Sequence, residues 1–487
     1  MSTEERTPVI VGVAQVVQRP GEVPLEQARG PIELMTEAAL LAASDATAPA
    51  LLAQAGFVGS AGGWFRYTNP AQLVAAAVGC PSAATALTAV SGTGPQDLVG
   101  AVGQRIAAGE LDVALIVGGE ARWSHQRLSR ADLRPHWNVQ PGEGTPEAMS
   151  GFPESTQQEN AMFAGAPAAY ALFEDRVRHT MGEAVQAHRH RIARLWEHFS
   201  EVAATNPYAW DRTPHSADSI REASPSNRMI AFPYTKAMVA NNTVDMATAV
   251  IVCSLGAALA AGVPRDRMVF PQVVTSGHET WLLAERRDLD GSPALTAAAR
   301  AAFAHAGLGI DEVEHIDLYA CFPSIVEMSS AALGIRHDRE LTVTGGLGFA
   351  AAPVGNAVGH SIAAMVQRVR GGGIGLVHGN GGMATKHSFA LYATTPPAQF
   401  ARIDVQATVD LRPRATFGDE FVGAVTVEAA TLIHDREGPS HVIAAVLDGE
   451  GRRGFARNTD PAVFEAVVTE GLVGRLGDHR ADGTVAL

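Results

Sequence analysis

SGTGPQDLVGAVGQRIAAGELDVALIVGGE (Ser91–Glu120) and GNAVGHSIAAMVQRVRGGGIGLVHGNGG (Gly355–Gly382) repeat one order of elements: Gly-rich loop, small-residue helix, glycine, apolar strand, Gly pair. An internal duplication is the simplest account. Each copy is followed by another apolar run, ATAVIVCSLGAALAAG (Ala247–Gly262) in the first and SFALYATTPP (Ser388–Pro397) in the second. Such runs are expected of strands buried on both faces. Strands alternating with helices in this way predict an α/β protein of layered halves around buried sheets.

Outward from the repeats, the first half is split. Between its Gly pair and its last strand lies an insertion, residues 121–238, rich in Trp, His, Arg and Pro, with a helical stretch EAVQAHRHRIARLWEHFSEVAA. A segment of that length inside a compact domain is a subdomain, expected here to serve as a lid or substrate-binding cap. After TTPPAQF the texture changes: RIDVQATVDL, EFVGAVTVEAATLIHD and HVIAAVLDGEGRRGFARN alternate apolar and polar residues between turn signals. That pattern predicts an appended small antiparallel β domain. The expected organisation is 7–120 with 239–265 as the first half, 121–238 as the lid, 266–397 as the second half and 398–487 as the added domain.

The 487 residues carry 46% apolar and 18% charged side chains, against about 25% charged in average globular chains, so close packing of small residues is expected. A net charge of −14 argues against a nucleic-acid partner. The basic run RHRIAR (Arg189–Arg194) reads as a solvated helix face. Three widely spaced cysteines, Cys80, Cys253 and Cys321, support neither a disulfide framework nor a structural metal. The N-terminus lacks a leader pattern and no apolar run approaches the roughly 18 residues of a membrane span, so a cytoplasmic location is the expectation.

These features together resemble the thiolase superfamily over about residues 7–396. More narrowly, WEHFSEVAATNPYAW, SPSNRMIAFPYTKAMVANNTVDMATA, DLYACFPSIVEM, LTVTGGLGFAAAP and ATKHSFALYATTPP are similar to the thiolase-like proteins of type 1. The resemblance implies a thiolase fold of duplicated halves in five αβαβα layers, with a lid insertion and an OB-like added domain. It also implies a CoA thioester ligand, no other cofactor, and a monomer or homodimer; ordinary thiolases dimerise through the sheet beside the nucleophile loop, a surface the added domain is in a position to cover.

A thiolase presents a cysteine at a buried helix start, where the helix dipole favours the thiolate that accepts the acyl group. The resemblance places it between Ala89 and Gly92, where TALTAVSGTGPQ has none. Ser91 and Thr93 are the nearest hydroxyls, read as helix-capping groups that line the pocket with Gly92. The Gly-His-Pro histidine falls at Ala352 in Ala351-Ala352-Pro353; His360, eight residues on, is either a pocket group or structural. The His- or Asn-bearing oxyanion loop corresponds to Tyr319-Ala320-Cys321-Phe322. Tyr319 is a candidate proton or hydrogen-bond donor, its ordinary pKa of about 10 making it a poor base; Cys321 is either reactive or buried and inert. The second cysteine's loop corresponds to His378-Gly379-Asn380-Gly381-Gly382, whose glycines leave N–H groups free for an oxyanion, with His378 a candidate proton carrier. Asn241 and Asn242 align with the turn that meets pantetheine, Asp245 is read as structural there, and Arg228 and Lys236 are candidate phosphate contacts.

Four readings follow. A binder of CoA or acyl-CoA without Claisen chemistry ranks first, because it accounts for retained glycines and an absent nucleophile together. An acyltransferase or a retro-aldol lyase using Tyr319 and His378 is the alternative. Gly359-His360-Ser361-Ile362-Ala363 is a near miss to a hydrolase nucleophile elbow, lacking the strand before the serine. GGGIGLV precedes a strand instead of following one, which excludes the dinucleotide fingerprint.

Overall fold

The computed structural model describes residues 2–137, 145–149, 162–163, 165–336, 339–418 and 422–487. Two buried sheets are its frame. The first runs in the order Pro8–Val17, Asp245–Ser254, Val113–Ala121, Phe57–Ser60, Ala84–Thr88, Glu147–Met149. The second runs His315–Asp317, Gly375–Gly381, Lys386–Ala393, Phe270–His278, Ala401–Asp404.

The duplication predicted from the glycines is present in the pairing. Val113–Ala121 pairs antiparallel with Asp245–Ser254 in one half, as Gly375–Gly381 does with Lys386–Ala393 in the other. Alternate residues of these strands face opposite layers, as the period of two requires. Val113, Leu115 and Val117 join a core with the outer helix Pro31–Asp45, whereas Ala114 and Ile116 face a central layer. That central layer holds Leu98, Val99 and Val102 of helix Gly94–Ala108 and Val358, Ile362 and Val366 of helix Ala357–Val369. Val274, Val377 and Ala390 of the second sheet close it from the other side. Helices Pro293–Ala306 and Pro323–Leu333 pack outside the second sheet, completing the five layers.

Small residues make this spacing possible. At Gly100 and Gly103 of the first central helix a Cβ would stand 3.1 Å from Val274 and 2.6 Å from Phe400, so a larger residue at Gly103 would push helix and sheet apart.

The lid contributes helices Ala166–Thr180 and Val185–Thr205 and a short hairpin, Met229–Ala231 with Tyr234–Thr235. In the long helix His188, Ile192, Trp196, Phe199 and Ala203 recur at helical spacing and are buried, with Trp196 stacked on Phe199 at 5.3 Å. The basic run on this helix is less solvated than its composition suggests. Arg189 lies over the Phe232 ring and Arg191 is ion-paired to Glu183 and Glu327, leaving Arg194 exposed.

The added domain is built on antiparallel strands Gly423–His434, Pro439–Asp448 and Arg453–Asn458, with Leu476–His479 and Val485–Ala486 beyond and helix Pro461–Thr469 packed on them. It docks on the lid and the second half. Ile433 pairs with Ala231 of the lid hairpin, and buried Arg453 bonds Glu428 and reaches the carbonyls of Ala284, Arg286 and Arg287. The edge strand beside the Ser91 loop, Ala84–Thr88, is covered instead by Glu147–Met149 of the insertion, in parallel register Ala86 to Glu147. Ala401–Asp404, placed with the added domain on texture, pairs parallel with Phe270–His278 in the second sheet. Among the described residues no helix is long and apolar enough to cross a membrane.

Candidate functional site

The Ser91 loop, the Tyr319 loop and the strand end at Asn380 converge. A Cβ built on Gly92 would stand 2.2 Å from the Asn380 carbonyl oxygen and 2.5 Å from Tyr319 Oη. One on Gly381 would stand 2.1 Å from Ser91 Oγ. Both contacts are closer than real Cβ atoms approach, so glycine at 92 and 381 is what lets three chain segments meet.

Ser91 and Thr93 form a short relay into the helix. Ser91 Oγ lies 2.9 Å from Thr93 Oγ1, which donates to Asp97 Oδ2 at 2.9 Å. Thr93 occupies the N-cap position, yet its backbone is already helical (φ −77°, ψ −16°) and its side chain makes no capping bond. Capping needs extended backbone at that residue, and this explains why the hydroxyl serves Asp97 instead. Burial pushes Asp97 up to about 6. Thr93 thus sits directly on the Asp97 carboxylate, whereas Ser91 reaches Asp97 only through the Thr93 hydroxyl.

Tyr319 is partly exposed and packs against both the central layer and the second core. Burial of its hydroxyl and the nearby Cys321 push it far above the ordinary tyrosine range, so it stays protonated at neutral pH. Cys321 is buried and its thiol is pushed up to about 12 by burial, which removes thiolate reactivity. Cys80 and Cys253 are likewise buried and free.

Tyr170, from the lid, is the residue that sequence reading missed. Its hydroxyl accepts from Asn380 Nδ2 and from the Ala384 backbone N–H, both at 2.8 Å, and donates to the Gly382 carbonyl at 3.1 Å. The ring stacks on Phe322 at 4.4 Å. It pins the HGNGG strand end to the Tyr319-Ala320-Cys321-Phe322 loop. Its partners lie more than 200 residues away, and in APAAYALFEDRVRHT it reads as one more core aromatic.

The two candidate histidines sit in different surroundings. His378 Nδ1 is 3.2 Å from Ser329 Oγ, its Nε2 is 3.4 Å from His387 Nδ1, and its ring stacks on Phe389. His360 Nδ1 is 2.8 Å from Gln15 Oε1 on the first strand, and its Nε2 is buried without a hydrogen-bond partner among the described residues. Burial lowers both to about 3, so both are neutral imidazoles at physiological pH. Neither is bonded to Tyr319, Ser91 or Asn380. His378 shares a strand face with Asn380, two residues away.

The Ala351–Val354 loop, which the resemblance sets against Gly-His-Pro, carries backbone strain. Ala351 (φ 84°) and Val354 (φ 49°) lie in the left-handed region, which a β-branched residue rarely enters. The Ala352 N–H bonds the Asn241 carbonyl and the Asn241 N–H bonds the Leu347 carbonyl, so the predicted pantetheine turn lies against this loop. The Ala240 N–H to Cys321 carbonyl bond ties the same turn to the Tyr319 loop. Asn242 is partly exposed beside it. Asp245 is buried and accepts from the Ser124 N–H and hydroxyl and from Gln18, holding the turn into its strand. Arg228 and Lys236 are exposed at the lid hairpin, joined by the Lys236 N–H to Arg228 carbonyl bond.

Comparison with known proteins matches this architecture. Residues 404–484 match the family described as thiolase-like protein type 1 additional C-terminal domain. The crystal structure of a monomeric SCP2-thiolase like protein type 1 from Mycobacterium smegmatis is 31% identical, covers 97% of this chain and 96% of its own, and superposes with a TM-score of 0.82. An acetyl-CoA acetyltransferase from Syntrophomonas wolfei (15% identity, 80% of this chain and 99% of its own, TM-score 0.58) and the Ltp2-ChsH2(DUF35) aldolase (18%, 80% and 98%, 0.60) share the fold. No curated protein sequence matches the chain.

Proposed function

Since the chain belongs to the SCP2-thiolase-like proteins of type 1, we propose that it binds CoA or an acyl-CoA over the Ser91–Gly94 loop and carries out no Claisen condensation. One observation carries this reading: at Gly92 the space a nucleophile's side chain needs is taken by Tyr319 and the Asn380 carbonyl. The partly exposed turn at Asn241 and Asn242 offers the pantetheine contact, and Arg228 and Lys236 offer positive charge to the phosphates. The nearest cysteine, Cys321, is held as a neutral thiol. We place the protein in the cytoplasm and in acyl-thioester (lipid) metabolism on the same reading.

A second reading is favoured by the Tyr319 hydroxyl itself. In a retro-aldol cleavage of a β-hydroxyacyl-CoA, a base removes the β-hydroxyl proton, the Cα–Cβ bond breaks to an aldehyde and a thioester enolate, and an acid returns a proton to Cα. Tyr319, protonated at neutral pH, suits the acid's part. A neutral His378 is the proton carrier in this scheme, but it is committed to Ser329 and His387 and must exchange a partner first.

The test is a titration with CoA and acetyl-CoA followed by thermal shift, with intact-mass measurement of the same samples. Stabilisation by CoA with no added acyl mass is the expected result. An acyl adduct removes the binder reading. Cleavage of a β-hydroxyacyl-CoA that is lost in Tyr319→Phe establishes the lyase instead.

A further inference from the structure

Outside the thioester site, three helices direct a nitrogen and two carboxylates at one point. Glu174 comes from Ala166–Thr180, His188 from Val185–Thr205 and Glu327 from Pro323–Leu333, and one donor atom of each lies within 4.8 Å of the others. We infer that Glu174, His188 and Glu327 form a binding site for a divalent transition cation of the zinc class.

Each donor is held by a neighbour of the kind that orients metal ligands. His188 Nδ1 bonds Glu183 Oε2 at 2.7 Å, leaving Nε2 toward Glu174 Oε1, also at 2.7 Å. Tyr234 Oη donates to Glu174 Oε2 at 2.5 Å. Arg191 bonds Glu327 Oε1 and both Glu183 oxygens. What these bonds leave over is Glu327 Oε2. It is buried without a hydrogen-bond partner among the described residues, on a side chain only 8% exposed. A buried carboxylate oxygen with nothing to bond is costly, and a cation beside it removes the cost.

Charge points the same way. Three carboxylates here face Arg191 and His188. With every carboxylate ionised and His188 protonated, one negative charge is left over. A dication in place of the His188 Nε2 proton brings the group to zero. Without a cation the same balance requires a further proton on one of the carboxylates. Cation binding therefore takes the place of the His188 Nε2 proton. One imidazole with two carboxylates is a donor set that zinc accepts, with a fourth position open to water. Bonds of about 2.0–2.1 Å set donor separations near 3.3 Å, so side-chain rotations on the order of 1 Å complete the site. A cleft of about 920 Å³, with Arg191 and Glu327 among its walls, approaches the group from one side.

The test uses the full chain, stripped with a chelator, dialysed and titrated calorimetrically with zinc chloride. One strong site per chain is expected, at least tenfold weaker in Glu327→Gln. His198→Ala, which alters an exposed histidine paired with Glu201 and Glu340, is expected to leave it unchanged. Absence of one-to-one uptake, or equal affinity in Glu327→Gln, overturns the inference. Should that variant fail to fold, cobalt titration of the wild type decides: visible d–d bands of a low-coordinate site support it, and a hydrated-cobalt spectrum refutes it. None of these outcomes depends on CoA binding.

Discussion

Tyr170→Phe removes a single oxygen from the centre of the candidate site, and its cost follows from the bonds that oxygen makes. The Ala384 N–H and Asn380 Nδ2 each lose a 2.8 Å acceptor; Asn380 keeps only a 3.8 Å contact to Cys321 Sγ, and its Oδ1 already lacks a partner among the described residues. The Gly382 carbonyl also loses a donor, but Gly382 is exposed and water replaces it. Two orphaned buried donors at about 1–3 kcal/mol each predict a loss of about 2–4 kcal/mol after partial relaxation. Tyr392→Phe is the matched control. That tyrosine is as deeply buried, yet its hydroxyl has no hydrogen-bond partner among the described residues, so its removal is expected to be neutral or stabilising by up to about 1 kcal/mol. Urea unfolding followed by fluorescence and circular dichroism measures both, and hydrogen exchange locates the effect: the Ala384 amide loses protection in Tyr170→Phe alone. Equal stabilities for the two variants, or an unchanged Ala384 amide, would refute Tyr170 as the anchor of the HGNGG strand end.

Three further outcomes are expected. His360 and His378 titrate near 3 in the folded chain and near 6.5 unfolded, so the unfolded state binds more protons between those values. Stability from each is full above pH 6.5 and falls by about 1.4 kcal/mol per pH unit as pH drops toward 3; His360→Gln should reduce the slope of urea midpoint against pH by one proton's worth. Arg453→Met leaves Glu428 nearly buried without its bidentate partner and frees three carbonyls, at a cost of about 3–5 kcal/mol, read as faster release of the C-terminal domain in limited proteolysis. Ala148→Pro disrupts the short strand over Ala86–Thr88, and light scattering should then show concentration-dependent association through the bared edge; a strict monomer would mean the edge is protected in another way.

What the sequence determined by itself was whatever is written locally. The two Gly-rich repeats set the duplicated halves, the uninterrupted apolar runs set strands buried on both faces, and the change to alternation after residue 400 set the added domain. These are properties of consecutive residues, with a period that backbone geometry imposes. The positions that the thiolase resemblance singles out, Ala352, Tyr319 and His378, are legible for the same reason, being single positions within recognisable stretches.

Tertiary structure alone decided which of those positions meet. Tyr319 and Asn380 close on Gly92 because three separate loops pack without side chains between them, whereas His360 turns to Gln15 and His378 to Ser329 and His387. Tyr170 reaches Asn380 from across 210 residues, and Glu147–Met149 covers an edge that the thiolase resemblance offered to the added domain. The Glu174, His188 and Glu327 group has no spacing signature either, since its members come from three helices. Such contacts depend on the register and approach of whole layers, and packing distances of that kind leave no periodic trace along the chain.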